Sequence, residues 1–86
     1  MNVRYSYVVE AGVVAFFAQC SGREREQLMR AFEVLAQEPY QRGDWVRRTS
    51  LGRELQLKRV GKWLVTFWPD HAVRELRIVD VERIIP

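Results

Sequence analysis

The side chains of this sequence that could take part in chemistry are mainly cations in its second half. They are Arg53, Lys58, Arg59, Arg77 and Arg83. Cleavage of RNA through its 2′-hydroxyl needs a base for that proton, a cation for the charge on the phosphate and an acid for the leaving oxygen. Clustered lysine and arginine can stabilise the charge, and a lysine can also act as the base. Phosphate binding without cleavage uses the same side chains, so residue types alone leave both functions open.

Other reactive residue types are too few for a site. His71 is the only histidine and lies in a predicted turn, and Cys20 falls on an apolar helix stripe, where we expect it to be buried. Asp80 and Glu82 are interpreted as solvated carboxylates or as partners of Arg83, and not as metal ligands. A single cysteine excludes an internal disulfide and a cysteine-based zinc site. We therefore expect no metal ion and no cofactor.

The basic charge is concentrated in one segment. The chain of 86 residues has a formal net charge of +3, but residues 45–62 alone hold six Lys or Arg and one acidic residue, Glu54. A local patch attracts polyanions better than dispersed charge does. Docking of a protein partner and a solvated loop with an edge strand are the alternatives. The residues predicted to contact nucleic acid are Arg47, Arg48, Arg53 and Trp68.

Composition indicates one globular domain over residues 1–86. With 48% hydrophobic and 29% charged residues, the chain is not of the disordered class. The first residues do not resemble a signal peptide, and no run approaches the roughly 18 apolar residues of a membrane helix. We therefore expect a cytoplasmic protein that does not enter a membrane.

Two helices are predicted between residues 10 and 37. The first carries an apolar stripe with helical spacing, formed by Val13, Phe16, Phe17 and Cys20. The second is predicted over 22–37, because Ser21 and Glu24 have the spacing of a capping box and Pro39 ends the helix. Its predicted buried residues are Leu28, Ala31, Phe32 and Leu35. The short break between the two helices predicts an antiparallel helical hairpin.

The strand pattern completes an α+β fold of order β-α-α-β-β-β. The first strand is predicted at 3–9, and a long connection at 38–50 is expected to be anchored to the core by Trp45. The other strands are predicted at 53–60, 63–68 and 74–81. We expect the helical hairpin to pack on a three- to four-stranded, mainly antiparallel sheet.

The register of the two hairpins is predicted from the need for one apolar face. A two-residue turn at Asp70 and His71 places five residues on that face: Trp63, Val65, Phe67, Leu76 and Ile78. A three-residue loop at 60–62 brings Leu55 and Leu57 to the same face. The opposite face then holds a row of Lys58, Leu64 and Arg77, in which two cations bracket a phosphate site. If the protein is a nuclease, we expect Lys58, Arg59 and Arg77 to converge on one cleft. If it only binds its target, we expect the cations to be scattered.

Three stretches of the sequence resemble the RelE/ParE superfamily of bacterial toxins. "RAFEVLAQEPY" (30–40) is similar to the end of the family's second helix with its proline exit. "GRELQLKRVGKWLVTFW" (52–68) is similar to the central hairpin with its glycine turn, and "LRIVDVERI" (76–84) to the last strand. The resemblance covers nearly the whole chain and rests on pattern more than on invariant residues.

The resemblance implies the toxin component of a type II toxin–antitoxin system. In this family the RelE-like branch cleaves messenger RNA on the ribosome without a metal, the ParE-like branch blocks DNA gyrase by binding, and a co-encoded antitoxin neutralises the toxin. The catalytic candidates carried over are Lys58 or Arg59 before the glycine turn and Arg83 after the last strand, with Arg77 as a possible substitute. The resemblance leaves open whether the protein is an enzyme; a non-catalytic binder of gyrase or antitoxin and a plain basic nucleic-acid-binding domain are the alternatives.

The sequence departs from the family pattern at two places. Leu64 stands where many RelE-like members carry an arginine after the glycine and the aromatic residue. The sequence also ends at Pro86, before the tail that in the family often supplies a catalytic tyrosine or histidine. Both departures favour the binding alternatives over RNA cleavage.

Overall fold

A helical hairpin and five strands make up the computed structural model, which describes residues 4–84. The strands form one sheet in the order β1-β5-β4-β3-β2, in which β1 is parallel to β5 and the other neighbours are antiparallel. The predicted α+β class is confirmed, with one strand more than expected. The elements are β1 (Ser6–Val9), α1 (Ala11–Gln19), α2 (Gly22–Gln37), β2 (Trp45–Arg48), β3 (Glu54–Val60), β4 (Trp63–Asp70) and β5 (Glu75–Arg83).

The start of α2 is the capping box that the sequence predicts. The Glu24 backbone N–H donates to Ser21 Oγ at 3.2 Å, and the Ser21 N–H donates to Glu24 Oε1 at 3.1 Å. These two bonds satisfy backbone donors that the first turn of a helix leaves without partners. The helix ends at Gln37, two residues before Pro39, so its predicted bounds are confirmed.

The core lies between the two helices and one face of the sheet. The four predicted buried residues of α2 are all buried, and Val13 and Cys20 of the first helical stripe join them. We call the sheet face that packs against them the helix face; the five predicted core residues lie on it, namely Trp63, Val65, Phe67, Leu76 and Ile78. We call the opposite side of the sheet the open face. Neither α1 nor α2, the helices of the described part, has the length and apolarity needed to cross a membrane.

The predicted connection at 38–50 is wrong in part, because it contains β2. This strand pairs with β3 from Trp45 opposite Leu57 to Arg48 opposite Glu54. Just before it the two backbones come so close that a Cβ on Gly43 would lie 2.6 Å from the Leu57 carbonyl oxygen. Trp45 does not anchor the segment in the core, since it is 58% exposed. An edge strand exposed on both faces lacks the apolar alternation by which strands are predicted.

The predicted register of β3 and β4 is also wrong. The turn has two residues, Gly61 and Lys62, and the pairing places Leu57 opposite Thr66 and Lys58 opposite Val65. Lys58 therefore lies on the helix face, whereas Leu57 lies on the open face. The prediction assumed that the helices cover β3. In the structure α1 packs mainly against β5, and α2 against β1 and β5. Val60 is the β3 residue that packs against the core, and polar Gln56 and Lys58 share the same face.

The two-residue turn predicted between β4 and β5 is wrong, although the five residues predicted for the helix face are right. The turn spans residues 71–74, and Arg74 adopts a left-handed backbone with φ of 54°. A bulge between Thr66 and Phe67 shifts the register, so that Arg77 lies opposite Trp68 and not beside Leu64. The predicted row of Lys58, Leu64 and Arg77 does not exist.

Candidate nucleic-acid interface

The open face carries aromatic and cationic side chains. Strand alternation and the observed pairing assign residues to it. From β2 and β3 it includes Trp45, Arg47, Leu55, Leu57 and Arg59; from β4 and β5 it includes Leu64, Thr66, Trp68, Arg77, Asp80 and Glu82.

Three of the four predicted nucleic-acid contacts lie together on the open face. Arg47 pairs with Leu55, and Trp68 follows on the next strand. The Arg53 guanidinium carbon lies 3.6 Å from the centre of the Trp68 ring, a cation–π stack. Arg48 points to the other side of β2, where its Nη2 lies 3.4 Å from Glu54 Oε2. The role of these residues in nucleic-acid binding stays a prediction.

Arg77 extends this group of residues toward the far edge of the sheet. It lies opposite Trp68, and its Nη2 donates to Glu75 Oε1 at 3.2 Å. Among residues 4–84, the Nε of Arg77 is a buried donor without a hydrogen-bond partner. An unmade hydrogen bond of this kind carries a cost. An incoming acceptor would meet the exposed part of the Arg77 side chain, which is 35% accessible, and not the buried Nε.

The four catalytic candidates divide between the two faces. Arg59 and Arg77 lie on the open face, whereas Lys58 and Arg83 lie on the helix face. Arg59 is opposite Leu64 and Arg77 is opposite Trp68, which places their backbones two strands and four residues apart. By the spacing and rise of strands this separation is about 16 Å. Lys58, Arg59 and Arg77 therefore do not converge on one cleft, which is the arrangement expected of a nuclease, and a catalytic role for any of the four candidates stays a prediction.

Arg83 belongs to an ion cluster at the start of α2. Its Nη2 lies 2.8 Å from Glu24 Oε2, and Lys62 Nζ lies 3.2 Å from the same oxygen. The pKa of the Glu24 carboxyl is lowered from 4.5 to about 2, first by the hydrogen bond with the Ser21 backbone and then by Lys62. The Arg83 guanidinium also lies 5.3 Å from the Trp63 ring. Arg83 thus ties the last strand to α2, and its partner is Glu24 instead of the predicted Asp80 or Glu82.

His71 makes tertiary contacts that the sequence does not predict. It lies in the turn as expected, but its Nδ1 is 2.7 Å from the hydroxyl of Tyr5, and its ring stacks on Tyr40 at 4.6 Å. The pKa of Tyr5 is raised, first by its hydrogen bond with Tyr40 and second by burial. His71 therefore links the turn to β1 and to the segment after α2. No spacing in the sequence indicates this contact, because the three residues are far apart along the chain.

The remaining reactive types form no further site in the described part. Cys20 is buried, as predicted, and its Sγ donates to the Phe16 carbonyl at 3.4 Å. Asp80 and Glu82 are exposed on the open face, opposite Thr66 and Leu64. Within residues 4–84 no three His, Cys, Asp or Glu side chains come together in a group that could hold a metal ion.

The known proteins that this chain resembles were found by their structures and not by their sequences. No protein-family model and no curated protein matches the sequence. A chain of the toxin–antitoxin complex RelBE2 from Mycobacterium tuberculosis superposes with a TM-score of 0.77 at 21% identity, covering 94% of this chain and 99% of that one. The archaeal RelE–RelB complex from Pyrococcus horikoshii OT3 gives 0.70 at 14% identity, covering 94% and 96%. At these identities the likeness concerns the fold, and the protein therefore has the fold of the RelE toxins.

Proposed function

We propose that this protein is the toxin of a bacterial type II toxin–antitoxin module and that it acts in the cytoplasm by binding single-stranded RNA on its open face. The observation that carries the proposal is the arrangement of Arg47, Arg53 and Arg77 around Trp68. Proteins that bind single strands combine cations along the backbone with flat groups, either aromatic rings or guanidinium planes, on which bases stack. The RelE fold supports a toxin role.

The geometry favours binding over cleavage. A nuclease must bring a base, a charge-stabilising cation and an acid to one phosphate. The open face offers Arg59 and Arg77, which are about 16 Å apart at the backbone by strand geometry. Such cations can instead contact successive nucleotides of one extended strand. Cleavage of messenger RNA on the ribosome and inhibition of DNA gyrase are the alternatives that the experiment must distinguish.

The proposal is tested by comparing Arg77→Ala with Lys58→Ala, which removes a cation from the helix face. Growth is followed after induced expression, and binding of a labelled ten-nucleotide RNA is followed by fluorescence anisotropy. We expect wild type and Lys58→Ala to arrest growth and bind RNA, and Arg77→Ala to lose both while its melting temperature is unchanged. Equal behaviour of all three proteins would contradict the proposal. Shortened RNA, with or without ribosomes, would instead establish cleavage.

We further propose that a co-encoded antitoxin docks on the other side of the sheet. A groove of about 540 Å³ lies between α2 and the β3–β4 turn, and its lining includes Arg30, Val34, Val60, Lys62 and Trp63. Val34 is 59% exposed there, so the groove offers apolar surface beside two cations. An acidic amphipathic segment complements both features. The similar solved structures are complexes of RelE with RelB, which supports this partner class.

Co-expression with the product of the adjacent gene tests the antitoxin proposal. We expect the two proteins to co-purify and the complex to melt at a higher temperature than the free toxin, because binding stabilises the folded state by mass action. Val34→Glu is expected to weaken the complex, and Arg77→Ala on the open face is its control. The absence of a complex at micromolar concentrations would count against the proposal.

A further inference from the structure

A cleft of about 740 Å³ lies at the β2–β3 end of the open face. It is lined by the loop 49–53 together with Glu10, Leu55, Trp68 and Val79. The loop is held by its own hydrogen bonds, since the Thr49 N–H donates to the Arg53 carbonyl at 2.8 Å and the Arg53 N–H donates to Thr49 Oγ1 at 3.1 Å. The loop side of the cleft is therefore a formed feature of the surface.

One wall of the cleft is suited to stacking. The Arg53 guanidinium covers one side of the Trp68 ring at 3.6 Å, and Arg53 is itself exposed. The side of the Arg53 guanidinium that faces away from Trp68 is a flat, positively charged surface on which a further ring can stack. Bases of single-stranded RNA stack on guanidinium planes as well as on aromatic rings. Leu55 and Val79 supply apolar surface beside the stack. A nucleobase matches this combination better than a phosphate does.

Glu10, whose side chain carries a carboxylate, also lines the cleft. The Glu10 backbone N–H donates to the Ile78 carbonyl at 3.0 Å, which fixes this residue against β5. Although Glu10 precedes α1, its side chain makes no capping hydrogen bond to the helix. An ionised carboxylate offers only acceptors, so it repels phosphate and selects a base edge that presents donors.

We propose that this cleft binds an unpaired guanine of the RNA, stacked on Arg53 and read by Glu10. Guanine presents two adjacent donors, N1–H and the 2-amino group, which a carboxylate can accept together. Adenine and cytosine present an amino donor next to an acceptor nitrogen, and uracil presents one N–H between two carbonyls. The inference rests on the proposed binding of RNA to the open face and adds a base preference to it.

Four pentaribonucleotides, UUGUU, UUAUU, UUCUU and UUUUU, test the guanine site by their affinities for the intact protein. A bidentate contact to a base edge discriminates by roughly 1–3 kcal/mol, so we expect UUGUU to bind about tenfold more tightly than the other three. Glu10→Gln should reduce this preference to less than about threefold, because the amide offers one acceptor in place of two. Glu38→Gln, which neutralises an exposed carboxylate at the end of α2, should keep the preference.

The possible failures can be told apart. Equal affinity of wild type for all four RNAs, or a preference that survives in Glu10→Gln, would overturn the guanine site and leave RNA binding by the open face in place. Failure of all four RNAs to bind would overturn the proposed function and the site with it. Amide chemical shifts that change in residues 49–53 when UUGUU is added would locate the bound base in the cleft. Changes confined to other residues would overturn that location.

Discussion

Replacing Arg47 and Arg48 separately with alanine tests the assignment of faces with two neighbouring residues of one strand. Arg47 lies on the open face, and Arg48 lies on the helix side of β2 beside Glu54. The two side chains have the same charge and lie in the same segment of sequence. A difference between the variants must therefore come from the direction in which the side chains point.

The expected magnitude follows from one lost phosphate contact. For a single strand, each neutralised phosphate contributes about 0.7 to the slope of log affinity against log salt concentration. Because Arg47 is exposed, we expect a loss of about 1 kcal/mol, which is about fivefold in affinity. Arg48 and Glu54 have side chains that are 68% and 47% exposed, so their ion pair contributes only about 0–1 kcal/mol to folding. Both variants should therefore remain folded.

Anisotropy titrations of a labelled ten-nucleotide RNA at several salt concentrations measure both quantities. We expect Arg47→Ala to bind about fivefold more weakly with a salt slope reduced by about 0.7, and Arg48→Ala to behave like wild type. Equal losses of affinity in both variants would show that the position of Arg47 on the open face is not what makes it bind RNA. They would indicate that the positive charge of residues 45–62 acts as a diffuse field.

The other predictions concern stability. Phe32→Ala should cost about 3–5 kcal/mol, because Phe32 is 1% exposed, whereas Met29→Ala on the same helix, at 43% exposure, should cost far less; similar melting temperatures would contradict the packing of α2. The folded-state pKa of Glu24 is about 2 against a usual 4.5. Its contribution to stability is therefore complete above about pH 4.5 and is lost as the pH falls toward 2, and Glu24→Gln should flatten the acid limb of a melting-temperature profile. His71→Ala should lower stability by about 0.5–1.5 kcal/mol, because the Tyr5 hydroxyl loses its 2.7 Å partner but keeps Tyr40 at 3.4 Å; an unchanged melt would contradict a stabilising role for the contact between His71 and Tyr5.

Local signals in the sequence determined the helices and the composition of the core. The capping box at Ser21 and the proline at position 39 bound α2, because both act on backbone groups within a few residues. The spacing of Leu28, Phe32 and Leu35 selected the face that packs on the sheet, since side chains three and four residues apart lie on one side of a helix. The five apolar residues of β4 and β5 were assigned to the right face because side chains two residues apart in a strand point to the same side of the sheet.

Tertiary structure decided which cations share a surface. Lys58 and Arg77 were predicted to share a row, with Leu64 between them, because Leu55 and Leu57 were both expected to face the helices. In the structure the main contacts of the helices with the sheet are with β1 and β5, so the helix face of β3 can hold Lys58, while Leu55 is buried on the open face and lines the same cleft as the loop 49–53. A shift of one residue in register moves every side chain of a strand to the other face. The length of a turn and the position of a bulge thus decide which cations share a face of the sheet. Both depend on which elements cover each strand, and the residue types of the strand itself do not contain that information.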